Sequence, residues 1–141
     1  MRDVLIDTHV LAWSLVAPCL IGADAHAALL GGAAVHVPPC AFHEIARTHR
    51  SGTWPEVDGV IGRLPQLLRA RGGTVAPCTA GMAVLSGGMG RSHRDPFDRM
   101  IAATAIELAC PLVSRDPASD GLAGAPGWAG RIGGEPAGPS A

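Results

Sequence analysis

The sequence predicts an α/β domain built on a central parallel sheet of roughly four to five short strands flanked by helices. Val4 to Ile6 is a short apolar run with the character of a parallel strand buried on both faces, and Val35 to Val37 and Leu112 to Ser114 read as further short strands. Segments of helical pattern separate these runs, and repeated strand-helix units favour right-handed parallel connections. Acids stand just beyond two of the runs, at Asp7 and Asp116, where an open parallel sheet gathers its functional groups.

The first strand, Val4 to Ile6, ends in Asp7. Val10 to Val16 and Ala23 to Leu30 are expected as Ala/Leu-rich helices, broken by Pro18 and by Gly31-Gly32. Val35 to Val37 is the second strand; Pro38-Pro39 closes it and opens a helix from Cys40 to Arg50 that carries Glu44. A helix between Val57 and Arg71 contains Pro65, which is expected to kink or split it. Thr74 to Ala76 reads as a third strand, and a weak helix after Pro77 runs through Val84 to a Gly-rich turn from Gly87 to Gly90. The strongest helix is Pro96 to Ala109, with Phe97, Met100, Ile101, Ala105 and Leu108 on one face. Leu112 to Ser114 is the last clear strand. From Gly124 to Ala141 half of the residues are Gly or Pro, which allows at most one edge strand around Arg131-Ile132 and leaves the final stretch loose. The organisation expected is one domain over residues 1–123 and a Gly/Pro-rich, partly disordered tail over 124–141.

A length of 141 residues suits one domain able to bury about two-thirds of its unfolded surface. With 11 basic against 12 acidic residues the chain is no polycation, so nucleic-acid binding would need a local patch. Every basic residue is Arg, which removes lysine nucleophiles and leaves planar, bidentate phosphate binders. Cys19, Cys40, Cys78 and Cys110 show neither zinc-ligand nor redox spacing and read as free thiols in a reducing compartment. Arg2 and Asp3 lead straight into the first strand, without the apolar stretch of a signal peptide or membrane span, so a cytoplasmic protein is expected.

Each acid has an ordinary explanation. Asp95 fits a helix N-cap before Pro96, and Asp98 takes the place of the acid in a capping box, although Asp is shorter than the Glu or Gln that box prefers. Asp7 alone is as well explained as a cap; Glu44 as a solvated helix residue; Asp116 as a strand-to-turn acid. Together, Asp7, Glu44, Asp98 and Asp116 occupy the strand ends and helix starts that this fold class brings to one place. Carboxylates gathered without matching cations suggest a divalent metal site. Glu56, Asp58, Glu107 and Asp120 have no such placement and read as surface charges.

Four segments resemble a known family, the PIN-domain ribonucleases, and within it the VapC-type toxins of type II toxin–antitoxin modules. Asp7-Thr8-His9-Val10-Leu11-Ala12-Trp13 resembles the family's opening strand end and acid, Glu44-Ile45-Ala46 its second acidic motif, His93 to Ala105 the segment of its third acid, and Ser114-Arg115-Asp116 its fourth motif, usually Thr-x-Asp. The chain departs from the pattern at His43, where many relatives have Trp, at Pro117-Ala118, and in a C-terminal region of glycines and prolines where a strand is usual. The resemblance implies a PIN-like domain whose Asp7, Glu44, Asp98 and Asp116 hold Mg2+ or Mn2+, with Asp7 and Asp98 as direct ligands. It also implies hydrolysis of single-stranded or loop RNA, a cognate VapB-like antitoxin and a homodimer.

One or two hard divalent ions would meet the demands of phosphodiester hydrolysis. Thr8 could hold the substrate phosphate or an acid side chain through its hydroxyl, or equally serve a structural role at a helix start. Arg94, Arg99 and Arg115 flank the acids and could steer the RNA backbone, or be plain solvated charge. His9 and His93 are expected to serve packing or hydrogen bonding, and Trp13, Trp54 and Trp128 to anchor core or interface. A phosphatase built on an Asp nucleophile would need a second Asp where His9 stands and a Lys; a receiver domain needs the same Lys; no Ser lies in G-x-S-x-G. The remaining alternative is non-enzymatic, a PIN-like fold that binds without cleaving.

Overall fold

A computed structural model describes residues 2–31, 33–90 and 95–133. Its elements run β1 (Val4–Ile6), α1 (Thr8–Val16), α2 (Ala23–Leu30), β2 (Val35–Val37), α3 (Pro39–Arg50), α4 (Leu64–Ala70), β3 (Thr74–Val75), α5 (Ala80–Gly87), α6 (Pro96–Leu108), β4 (Leu112–Ser114) and β5 (Arg131–Gly133). The sheet order is β3-β2-β1-β4-β5, and every neighbouring pair is parallel. This is the architecture the sequence predicts.

Alternation along the buried strands assigns the two faces. Val4, Ile6 and Val113 join one core cluster with Val10, Leu11, Leu15, Ile45, Leu64 and Leu68, from α1, α3 and α4. Leu5 and Leu112 join the other with Ile101 and Ala105 of α6. The chain steps from β1 to β2 and β3 on one side, then returns to β4 and β5 on the other. β1 and β4 therefore flank the switch point, where crevices open beyond the strand ends.

Local chemistry adjusts several boundaries. α1 starts at Thr8, earlier than expected, because Asp7 caps it. Pro65 stands in the first turn of α4, where its missing N–H costs nothing, so it starts a helix rather than kinking one; the preceding segment forms single 3-10 turns at Pro55–Val57 and Ile61–Arg63. α5 runs on to Gly87, its Thr79 cap accepting from the Met82 N–H at 3.1 Å. α6 ends at Leu108 because Ala109 turns left-handed, with φ of 51°. β5 falls at Arg131–Gly133, within the Gly/Pro-rich stretch, as a parallel edge strand on β4. The final residues, expected to be loose, lie outside the described residues. No helix among the described residues is long and apolar enough to cross a membrane.

Candidate active site

Beyond the carboxyl ends of β1 and β4 lies an open cleft of about 420 Å³ lined by Asp7, Thr8, His9, Glu44, Asp95, Asp98, Ile101, Arg115, Asp116 and Pro117. All four acids singled out from the sequence reach it, from four different elements. Asp7 arrives first and deepest. Its backbone N–H donates to the Val113 carbonyl at 3.1 Å, tying β1 to β4 beneath the cleft. Its Oδ1 accepts from the Val10 N–H at 3.0 Å, capping α1, and its Oδ2 accepts from the Ser114 hydroxyl at 2.6 Å. Burial raises its pKa above the usual carboxylate value, the nearby Glu44 charge adding to the rise and the two hydrogen bonds opposing it.

Glu44 comes from the first half of α3 and is gripped by the Thr8 hydroxyl, which donates to its Oε1. Thr8 thus opens α1 and holds an acid side chain, two of the three roles the sequence left open. Asp116 caps the 3-10 turn Pro117–Leu122 through the Ala118 N–H at 2.9 Å, while its own N–H donates to the Ser114 hydroxyl oxygen at 3.0 Å.

Asp95 caps α6, accepting from the Phe97 N–H at 2.8 Å, and also lines the cleft. Asp98 follows in the first turn, and its pKa is pushed up to about 6 by burial and then by the charges of Asp95, Asp116, Glu44 and Asp7. A carboxylate that senses four others sits where a bound cation would be favoured.

Ser114 was not singled out from the sequence, yet it links Asp7 to Asp116. Its position two residues before Asp116 was the only signal, and its reach to Asp7 spans 107 residues of chain. His9 packs at 5.9 Å from the Trp13 ring and 5.1 Å from Trp54, and burial followed by the Arg115 charge lowers its pKa. Arg115 stands 5.8 Å from the Trp13 ring centre. Arg99 has a guanidinium N–H toward the Gly90 carbonyl. Arg94 and His93 lie outside the described residues.

The donor set suits a hard divalent ion, since it is all carboxylate oxygen, with hydroxyls of Thr8 and Ser114 fixing two of the acids. The match is one of donor chemistry and a shared cleft: among the described residues, no three Asp, Glu, His or Cys side chains close on a common point as they stand. Asp7, Glu44, Asp98 and Asp116 are the side chains of this cleft that could hold such an ion.

A parallel α/β sheet with a carboxylate-lined cleft at its switch point defines the class. Residues 4–124 match the family described as PIN domain, and the chain belongs to that family, whose members are generally nucleases. No curated protein matches the sequence. Solved structures that share the fold include two covered along nearly their whole length. One is VapBC2 from Rickettsia felis bound to a DNA fragment from their promoter, 11% identical, with a TM-score of 0.59 over 92% of this chain and 98% of that one. The other is a toxin–antitoxin complex from Klebsiella pneumoniae, 18% identical, with a TM-score of 0.58 over 89% of this chain and 94% of that one.

Proposed function

We propose that this protein is a divalent-metal-dependent endoribonuclease of the VapC toxin type, silenced by a cognate antitoxin. One observation carries the reading: Asp7, Glu44, Asp95, Asp98 and Asp116 share one cleft at the β1/β4 switch point, where Arg115 is the one lining guanidinium among the described residues. The toxin and antitoxin setting rests on the PIN family match and on the two solved relatives, both toxin–antitoxin complexes. The same reading takes the protein to be a cytoplasmic homodimer.

When bound, Mg2+ or Mn2+ supplies Lewis acidity at the scissile phosphate and activation of the attacking water. The chain supplies position. Ser114 and the Val10 N–H each hold one Asp7 oxygen and leave further lone pairs on both. Thr8 fixes Glu44, which with Asp116 can orient water or complete the ion's surroundings. Arg115, on the cleft wall, can neutralise a phosphate oxygen of the substrate.

The test is cleavage of a mixed RNA pool by wild type and Asp98→Asn with Mg2+, Mn2+ or EDTA. Metal-dependent cleavage that is lost in the variant is the expected result. A folded wild type inert with both ions would favour the second reading, a PIN-like binding module, which the spread of the carboxylates around the cleft supports.

A further inference from the structure

The acidic cleft repels the substrate it is proposed to cut, so an RNA strand needs a cationic approach beside it. α3 provides one. His43, Arg47 and Arg50 are exposed and recur at four- and three-residue spacing, which places them on one helix face, and with Ala46 they line a shallow surface hollow. This face adjoins the cleft through two sequence neighbours: His43 precedes Glu44, and Phe97 precedes Asp98.

The two are joined in space. The His43 ring stacks on Phe97, with centroids 5.3 Å apart and planes 29° apart, and the Arg47 guanidinium lies 4.7 Å from the same ring centre. Phe97 thus holds one cation and one aromatic ring in place before any ligand arrives, which lowers the ordering cost of binding.

We infer that His43, Arg47 and Arg50, organised by Phe97, form a binding track for the single-stranded RNA backbone leading into the acidic cleft. The inference deepens the ribonuclease reading and rests on it. Charge selects the occupant: two guanidinium groups beside five carboxylates suit a polyanion that must be held next to the cleft but not by it. Arg47 and Arg50 take phosphates. His43, packed by Phe97 on one side and exposed on another, offers a surface for a base.

Single-stranded RNA is the probe. Cleavage kinetics are compared among wild type, Arg47→Gln/Arg50→Gln, His43→Ala and Arg69→Gln, the last removing an exposed charge on α4 outside the track. Binding is measured in parallel for each variant on the Asp98→Asn background across a salt series, and thermal melting checks each fold. The double variant should raise KM and Kd about tenfold or more at ~0.1 M salt, with the loss falling on KM rather than kcat. The slope of log affinity against log salt should flatten by about 1.4, or ~0.7 for each lost phosphate contact. His43→Ala should weaken binding without changing the slope, and Arg69→Gln should change nothing.

If wild type cleaves RNA and the double variant keeps its KM, Kd and salt slope, the track is overturned, as it would be if the strip served an acidic protein segment instead. An equal loss in Arg69→Gln also overturns it, by tracing the effect to general charge. If wild type neither binds nor cleaves RNA, the ribonuclease reading itself fails, and the track with it.

Discussion

Asp7 is only 8% exposed and yet carries a carboxylate, and that enclosure governs what replacing it would do. Asn ranks beside Asp as an N-cap, so Asp7→Asn keeps an acceptor for the Val10 N–H while removing a charge that burial disfavours. The melting midpoint of Asp7→Asn should match or exceed wild type, while RNA cleavage falls about a hundredfold or more. A loss of stability above about 1 kcal/mol would show instead that the charge supports the fold. Asp98 gives the pH dependence. Its pKa, pushed up to about 6, and the raised pKa of Asp7 mean that both bind a proton more readily in the folded protein than in the unfolded chain. The contribution of Asp98 to stability is fully present below the ordinary value of 3.8 and is lost as pH climbs through about 6, and that of Asp7 is lost in the same sense as pH rises. Asp3, held down by its hydrogen bond to His36, acts in the opposite sense below that window, and His9, whose pKa burial lowers from 6.5, opposes it within the window. Relative to Asp98→Asn, the urea midpoint of metal-free wild type should therefore fall more steeply between about pH 4.5 and pH 7. A curve as steep in the variant as in wild type would contradict the assignment.

Elements were legible in the sequence where burial alone decides them. β1 is a continuous apolar run and β4 is apolar up to Ser114, both buried because helices cover both faces of the sheet, and α6 shows its cap, Pro96 and apolar face together. Acids at strand ends and helix starts could be placed in one cleft from the topology those elements imply. What stayed hidden depends on contacts between distant segments. The grip of Thr8 on Glu44 crosses 36 residues, and the Ser114 bridge to Asp7 requires that β1 and β4 be neighbours, which no local pattern states. β5 has weak propensity among its glycines. It is held by pairing with β4 and by Arg131, which donates to both Asp120 oxygens at 3.0 and 3.2 Å and to the Ser114 carbonyl at 2.9 Å. Pro65 has the same identity at a kink and in a first helical turn, and only the 3-10 turn before it separates the two.

At the scale of the whole molecule, a formal charge of -1 conceals a separation: five carboxylates around one cleft, and His43, Arg47 and Arg50 along the helix beside it. Burial and then mutual repulsion lift the Asp98 pKa, and a divalent ion in the cleft would relieve that repulsion, so it should bind the folded protein and stabilise it. The most direct measurement is a calorimetric titration of Mn2+ into metal-free protein, wild type against Asp98→Asn, with melting midpoints before and after. The account predicts saturable uptake and a raised midpoint in wild type, both sharply weakened in Asp98→Asn. A folded wild type that takes up no Mn2+ at millimolar concentration, or a variant that binds as tightly as wild type, would contradict it.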